Sequence, residues 1–143
     1  MGLMVGDMRV LSNRRPAMAD KNDQRALTGH RILIVEDEML LALDLELFLE
    51  SQGSKVLGSA NSVKGALAMV DVERPDAVTL DMNLNGESSA PVAAILQEHG
   101  IPFIFVTGDG GKNVDYPGFQ DAPLVKKPYN ADELVQKLVQ LLG

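Results

Sequence analysis

AVTLDMNLN, residues Ala77–Asn85, is the stretch that decides how this chain folds. Ala77, Val78, Thr79 and Leu80 form a short, largely apolar run, as a strand buried on both faces requires. The run stops at Asp81, and Asn83, Asn85 and Gly86 mark a turn directly after it. A carboxylate at the carboxyl end of a buried strand lies where open α/β sheets place their chemistry. Two other stretches end in the same way. RILIVEDE at 31–38 is an apolar run closed by acids, and VKKPY at 125–129 is one closed by lysines and a proline. Asp81 is accordingly the candidate nucleophile.

Outward from this centre the chain alternates strands and helices. Ile32–Val35 reads as the first strand. Glu38–Ser51 follows as a helix rich in Leu, Ala and Glu, with Leu40, Leu43 and Leu47 on one face and Gly53 as its stop. Lys55–Ser59 is the second strand. Asn61 or Ser62 caps a helix whose Val63, Ala66, Leu67 and Val70 recur at helical spacing. The third strand is Ala77–Leu80, and Pro91 suits the first turn of a helix carrying Val92, Ile95 and Leu96 inward to a stop at Gly100. Ile101–Val106 is the fourth strand. The stretch GDGGKNVDYPGFQDA, residues 108–122, holds four glycines and a proline without an apolar period, so a long loop with at most a short, irregular helix is expected. Leu124–Lys126 is the fifth strand. Asn130 caps the last helix, with Glu133 three residues on and a stripe of Leu134, Leu138 and Leu141. Val135, Val139 and Leu142 lie beside that stripe, as part of one broad core face or as a docking face. Five strands alternating with helices imply a parallel, doubly wound sheet with right-handed crossovers, the fourth helix being irregular or shortened.

Composition bounds the function. At 143 residues the chain is about one domain long. The net charge of −7 opposes phosphate-backbone binding, so no nucleic-acid partner is expected. Without cysteine there is neither a disulfide framework nor a thiolate metal site. No apolar run approaches the ~18 residues of a membrane span, and Gly6, Asp7 and Arg9 interrupt any signal-peptide core. A cytoplasmic protein is the expectation. Residues 1–29 differ from the body at 30–143: they are basic, lack a persistent period, and read as a disordered tail or a small docking arm. Met18 is an alternative start of translation.

The chemistry-bearing groups all follow strands. Glu36, Asp37 and Asp81 would gather three carboxylates at one sheet edge, a self-repelling set unless protons or a cation neutralise it. All-oxygen ligation points to a hard cation, Mg²⁺. Asp37 and Asp81 are the direct ligands in this reading, Glu36 acts through a water, and the Asn83 carbonyl adds a further ligand. Acids at strand ends are ordinarily solvated turn residues or first-turn acids favoured by a helix dipole, which suffices for Glu38. It does not suffice for the set of Glu36, Asp37 and Asp81 together with Lys127.

IVEDE, TLDMN, FVTGDG and VKKPY, in that order, resemble the receiver domain of bacterial two-component response regulators, over about residues 30–143. The resemblance implies a five-stranded parallel sheet of the CheY-like, flavodoxin-like kind. It implies that Asp81 accepts a phosphoryl group from a phosphohistidine on a sensor histidine kinase or histidine phosphotransfer protein. Glu36 and Asp37 match the acidic pair that holds Mg²⁺, Thr107 the hydroxyl that bonds the phosphoryl oxygens, and Lys127 the lysine that pairs with the aspartate. Gly108 leaves the phosphoryl group reachable, and Lys126 is a surface charge. Such a protein is a signalling module, not an enzyme acting on a separate substrate. It relays, drains or transmits its phosphoryl signal through the surface of its fourth and fifth helical segments, to a downstream protein, as a monomer or weak dimer.

Leu124 stands where receivers usually carry an aromatic residue that turns inward on activation. With FVTGDG and the Gly-rich loop, this resembles a subgroup of stand-alone receivers with a Phe-Ala-Thr-Gly signature (the FAT GUY receivers), although Val106 replaces the alanine. Asp109, two residues after Thr107, is expected to orient a water for self-dephosphorylation. A haloacid-dehalogenase-type hydrolase would need its nucleophile after the first strand and a second Asp two residues on, where Asn83 stands. A Toprim-type enzyme fails at the same residue. A receiver-like scaffold that acts by binding alone is the remaining alternative.

Overall fold

β1, Arg31–Val35, alternates its side chains between two hydrophobic layers, and everything else is laid on either side of it. The computed structural model describes residues 26–108 and 116–143. β2 (Lys55–Ala60), β3 (Ala77–Asp81), β6 (Phe103–Thr107) and β7 (Leu124–Lys126) join β1 in one sheet of order β2-β1-β3-β6-β7. All four pairings are parallel. Every residue of β3 and β6 is buried, which is why these segments read as unbroken apolar runs.

Ile32 and Ile34 point into a layer completed by Ala42, Leu45 and Leu49 of α1 (Met39–Ser51) and by Leu134 and Leu138 of α4 (Ala131–Leu142). Leu33 and Val35 point into the opposite layer, with Val63, Ala66 and Val70 of α2 (Val63–Glu73) and Val92, Ala93 and Leu96 of α3 (Ala90–His99). The helix after β1 thus covers one face and the helix after β3 the other. Their divergence opens a crevice at the carboxyl ends of β1 and β3, the switch point at which such sheets bind ligands.

Caps follow local chemistry. Ser62 Oγ accepts from the Gly65 N–H at 3.0 Å, and Asn130 Oδ1 accepts from the N–H groups of Asp132 and Glu133 at 2.8 and 3.2 Å. Gly100 ends α3 in the left-handed region at φ 70°, where a Cβ would be strained.

The structure changes several expectations. Leu40, Leu43 and Leu47 do share a face of α1, but that face is exposed. Ala42, Leu45 and Leu49, at the same spacing, face the sheet instead. On α4, Val135 is buried with the main stripe while Val139 is 39 % exposed, so the two apolar stripes are largely one core face. Asn85-Gly86 makes a tight turn, with φ of 55° and 89°, between two short strands absent from the sequence reading: β4 (Asn83–Leu84) and β5 (Glu87–Ser88). Asn-Gly is the strongest local signal for such a hairpin. Residues 26–29, assigned to the tail from sequence, form a turn that buries Leu27 completely. The Leu27 N–H donates to the Gln52 carbonyl at 3.0 Å, so residues 26–29 pack with the body. Between β6 and β7, the described residues 116–123 form turns and no helix. Residues 1–25, residues 109–115 and with them the expectation for Asp109 lie outside the described residues.

Candidate functional site

Four adjacent strands deliver their next residues to one edge. β1 is followed by Glu36 and Asp37, β3 ends in Asp81, β6 ends in Thr107, and β7 ends in Lys126 and is followed by Lys127. The sheet order sets these strands side by side, so residues as distant in sequence as 36 and 127 meet. At this edge lies a cleft of about 420 Å³ whose walls include Asp37, Asp81, Asn83, Thr107, Tyr116 and Lys127.

Lys127 is the hub. Its Nζ lies 3.0 Å from Glu36 Oε1, 3.0 Å from Asp81 Oδ2 and 3.8 Å from Glu38 Oε2. The other Asp81 oxygen accepts from the Asn83 N–H at 3.2 Å. Asp81 is 4 % exposed and Glu36 5 %, so both carboxylates are nearly out of water, and among the described residues they share the one Lys127 ammonium. Burial pushes the Glu36 carboxyl up to about 7, with the charge of Asp81 adding to it and the Glu38 N–H and Lys127 opposing it. Burial pulls the Lys127 ammonium down, but its bonds to Asp81 and Glu36 more than offset this and leave it above its ordinary value. Tyr129, behind the lysine, is pushed up to about 12 by burial and by the nearby Glu36.

Glu36, Asp37 and Asp81 each present a carboxylate oxygen within 4.8 Å of the others. Three oxygen donors at that spacing, with one cation among them and half-exposed Asp37 open to the cleft, fit a hard divalent ion such as Mg²⁺. Asp37 Oδ2 also accepts from the Asn85 N–H at 2.7 Å, which ties the hairpin to the acidic cluster. Asn83 is exposed at the lip, and its Oδ1 accepts from the Gly86 N–H at 2.7 Å. Thr107 is buried with its carbonyl accepting from the Lys127 N–H at 2.8 Å, a bond that sets Lys127 at the mouth of the cleft. Lys126 points outward and is exposed, while Lys127 is half-buried. A Cβ on Gly108 would meet Lys127 Cδ at 3.8 Å, an ordinary contact, so glycine is not required there for packing.

The structure therefore brings together Glu36, Asp37, Asp81, Asn83, Thr107, Gly108 and Lys127. Leu124 is partly buried against the layer that holds Phe105 and Phe119. One residue on the cleft was missed from sequence. Tyr116 sits among glycines and polar residues in a stretch without a period, and only its single aromatic ring before Pro117 set it apart.

This arrangement offers a buried carboxylate backed by an ammonium, an acidic pair beside it, and a hydroxyl-bearing residue on the adjacent strand, gathered at one edge of the sheet. Such a set can hold a divalent cation and stabilise negative charge developing on oxygens next to Asp81.

Comparison with known proteins agrees with this fold. Residues 32–139 match the family model described as the response regulator receiver domain. SdrG from Sphingomonas melonis Fr1, solved in solution, is 45% identical with a TM-score of 0.70, over 82% of this chain and 98% of that one. The response regulator PhyR from Brucella abortus is 34% identical with a TM-score of 0.71, over 83% of this chain and 50% of that one. The phyllosphere-induced regulator PhyR of Methylorubrum extorquens is 31% identical over 78% of this chain and 43% of its own length. The chain spans about half the length of the curated relatives it matches first. Among the described residues no helix is long and apolar enough to cross a membrane.

Proposed function

The chain belongs to the response regulator receiver domain family, and we propose that it is a phosphorylation-switched signalling module with Asp81 as the phosphoacceptor. The observation that carries this reading is Lys127 Nζ at 3.0 Å from both Asp81 and Glu36, in a cleft that also presents Asp37 and Thr107. The donor is a phosphohistidine on a sensor histidine kinase or a histidine phosphotransfer protein. An Asp81 carboxylate oxygen attacks phosphorus in line, the P–N bond breaks, and the imidazole nitrogen leaves with the electron pair and takes up a proton.

Glu36, Asp37 and Asp81 would hold Mg²⁺, with the Asn83 carbonyl as a further ligand. When bound there, the ion supplies positive charge beside the transferring oxygens. Lys127 neutralises Asp81 before transfer and a phosphoryl oxygen afterwards, and the Thr107 hydroxyl donates to another. The Asn83 N–H, already on Asp81 Oδ1, holds the carboxylate in its attacking orientation. Water attack on the resulting aspartyl phosphate ends the signal, so the only reactions are those of the module itself.

The likeness to SdrG over nearly all of that chain supports action as a single domain, and FIFVTG at 103–108 with Leu124 supports the stand-alone FAT GUY subgroup. A cytoplasmic protein partner, not nucleic acid, is the recipient in this reading, consistent with the charge of −7.

The test is amide NMR of wild type and Asp81→Asn with Mg²⁺ and beryllofluoride as the phosphoryl analogue. Mg²⁺-dependent shifts at Thr107, Gly108 and Lys127 are expected in wild type and not in the variant. A wild type that does not respond would leave the phosphorylation-independent scaffold as the better reading.

A further inference from the structure

The β4–β5 hairpin overhangs the cleft, and its two ends are Met82, which follows Asp81, and Ser89, which precedes α3. One hydroxyl meets both ends. Tyr116 Oη donates to the Met82 carbonyl and accepts from the Ser89 N–H at 3.3 Å. That N–H also reaches the Met82 carbonyl at 3.2 Å, so the hairpin closes on itself weakly and Tyr116 adds the third corner. The tyrosine ring packs edge-on against Phe105, with centroids 5.4 Å apart, and Phe105 lies on β6 two residues before Thr107. The hydroxyl thus anchors the hairpin to the strand that carries Thr107.

The obvious local tether is not in use. Ser89 occupies the N-cap of α3, yet its side chain makes no capping bond, and its fully buried Oγ has no hydrogen-bond partner among the described residues. The position on β7 that could have supplied an aromatic ring to this region is Leu124. The Met82 N–H already donates to the Val106 carbonyl of β6 at 2.9 Å, and Tyr116 adds a second bond at Met82 and one at Ser89, which reach both ends of the hairpin at once.

We propose that Tyr116 is a positioning residue for the acceptor site, its hydroxyl holding the Met82–Ser89 hairpin so that Asn83 stays registered against Asp81. Asn83 matters because its N–H is bonded to Asp81 Oδ1 and because the hairpin also reaches Asp37 through Asn85. Releasing Met82 from Tyr116 loosens the residue between Asp81 and Asn83, and the cost appears in how well the acidic cluster takes up a cation and a phosphoryl group. The inference rests on the phosphoacceptor reading of Asp81.

Tyr116→Phe keeps the ring on Phe105 and removes only the hydroxyl. Two measurements are made on the full chain. Without ligand, amide hydrogen exchange at Asn83–Ser89 is expected to quicken about tenfold while exchange in β1 and β3 is unchanged. That factor corresponds to ~1.4 kcal/mol, within the range for one buried hydrogen bond. With beryllofluoride, the half-saturating Mg²⁺ concentration rises by about the same factor, and the saturated spectrum keeps wild-type shifts at Thr107 and Gly108. A hairpin that exchanges as in wild type, or an unchanged Mg²⁺ half-saturation in a responding protein, overturns the proposal. If wild type itself ignores Mg²⁺ and beryllofluoride, the phosphoacceptor reading fails, and the proposal, which rests on it, fails with it. Quickened exchange in Tyr116→Phe would then report a structural tether alone.

Discussion

The two edges of the sheet carry the same kinds of side chain and use them in opposite ways. At the amino edge, the Arg31 guanidinium donates to the carbonyls of Arg74 and Glu73 at 2.9 and 2.8 Å and lies 3.5 Å from the Glu73 carboxylate. The Arg31 N–H meets Asp76 Oδ2 at 2.8 Å. Each donor has its acceptor, and the groups are partly in water. At the carboxyl edge, Glu36, Asp37 and Asp81 crowd together, and buried Glu36 and Asp81 share the Lys127 ammonium. The first arrangement is complete as it stands; the second is stable only with help from protons or an added cation. Charge at a strand end points to function when it is buried and left unbalanced, and to plain structure when it is matched.

The sharpest way to break this contrast is Lys127→Met. Removing the Lys127 ammonium from the buried carboxylates is expected to cost about 2–4 kcal/mol in the Mg²⁺-free protein near pH 8. Denaturant unfolding would show it, and most of the loss should return on adding Mg²⁺. A cost within error of zero would mean that the carboxylates are already neutral and the edge is not strained.

The pH dependence follows from Glu36. Its folded pKa of about 7 lies above the ordinary 4.5. The folded state therefore holds this proton more tightly, and the contribution is present in full below about 4.5. It is lost as pH rises through about 7, so the Mg²⁺-free protein should lose stability between about pH 5 and pH 8. Glu36→Gln should flatten that slope, as unfolding curves in a chelator at the two ends of the range would show. Mg²⁺ should bind more weakly below about 7, where it competes with this proton.

At the matched edge the effects are smaller. Arg31→Ala is expected to cost about 1 kcal/mol, because its hydrogen bonds are partly solvated. It should leave the Mg²⁺ titration untouched, and a shifted titration would show the edges to be coupled. The smallest effect belongs to Ser89→Ala, which removes a buried hydroxyl that has no partner among the described residues. A gain of under about 1 kcal/mol in thermal or denaturant unfolding is expected, and a clear loss would mean that Oγ is engaged after all.

Much of this protein was legible in its strands. Residues 77–81 and 103–107 are buried throughout, so their apolar runs identify them without any partner. The residues that end or follow those strands needed only the sheet order to become a site. Helix α1 was less legible because it is apolar nearly all round. Leu40, Leu43 and Leu47 have the same spacing as Ala42, Leu45 and Leu49, and no periodicity argument separates two stripes of equal quality. The hairpin was missed although Asn85-Gly86 announces it, because its strands are only two residues each. Tyr116 had no pattern to reveal it, since a tether is defined by what it touches.

From the sequence alone came the alternation of strands and helices, the parallel sheet, and the chemistry of its carboxyl edge. These follow from local pattern: apolar runs bury themselves, and polar groups collect where the runs stop. The tertiary structure decided which stripe of α1 faces the sheet and that residues 26–29 belong to the body. It also decided that Glu36 holds its proton up to about 7 and that one phenol bonds both ends of the hairpin. Those outcomes depend on neighbours such as Lys127, 91 residues from Glu36, whose distance and burial exist only once the chain is folded.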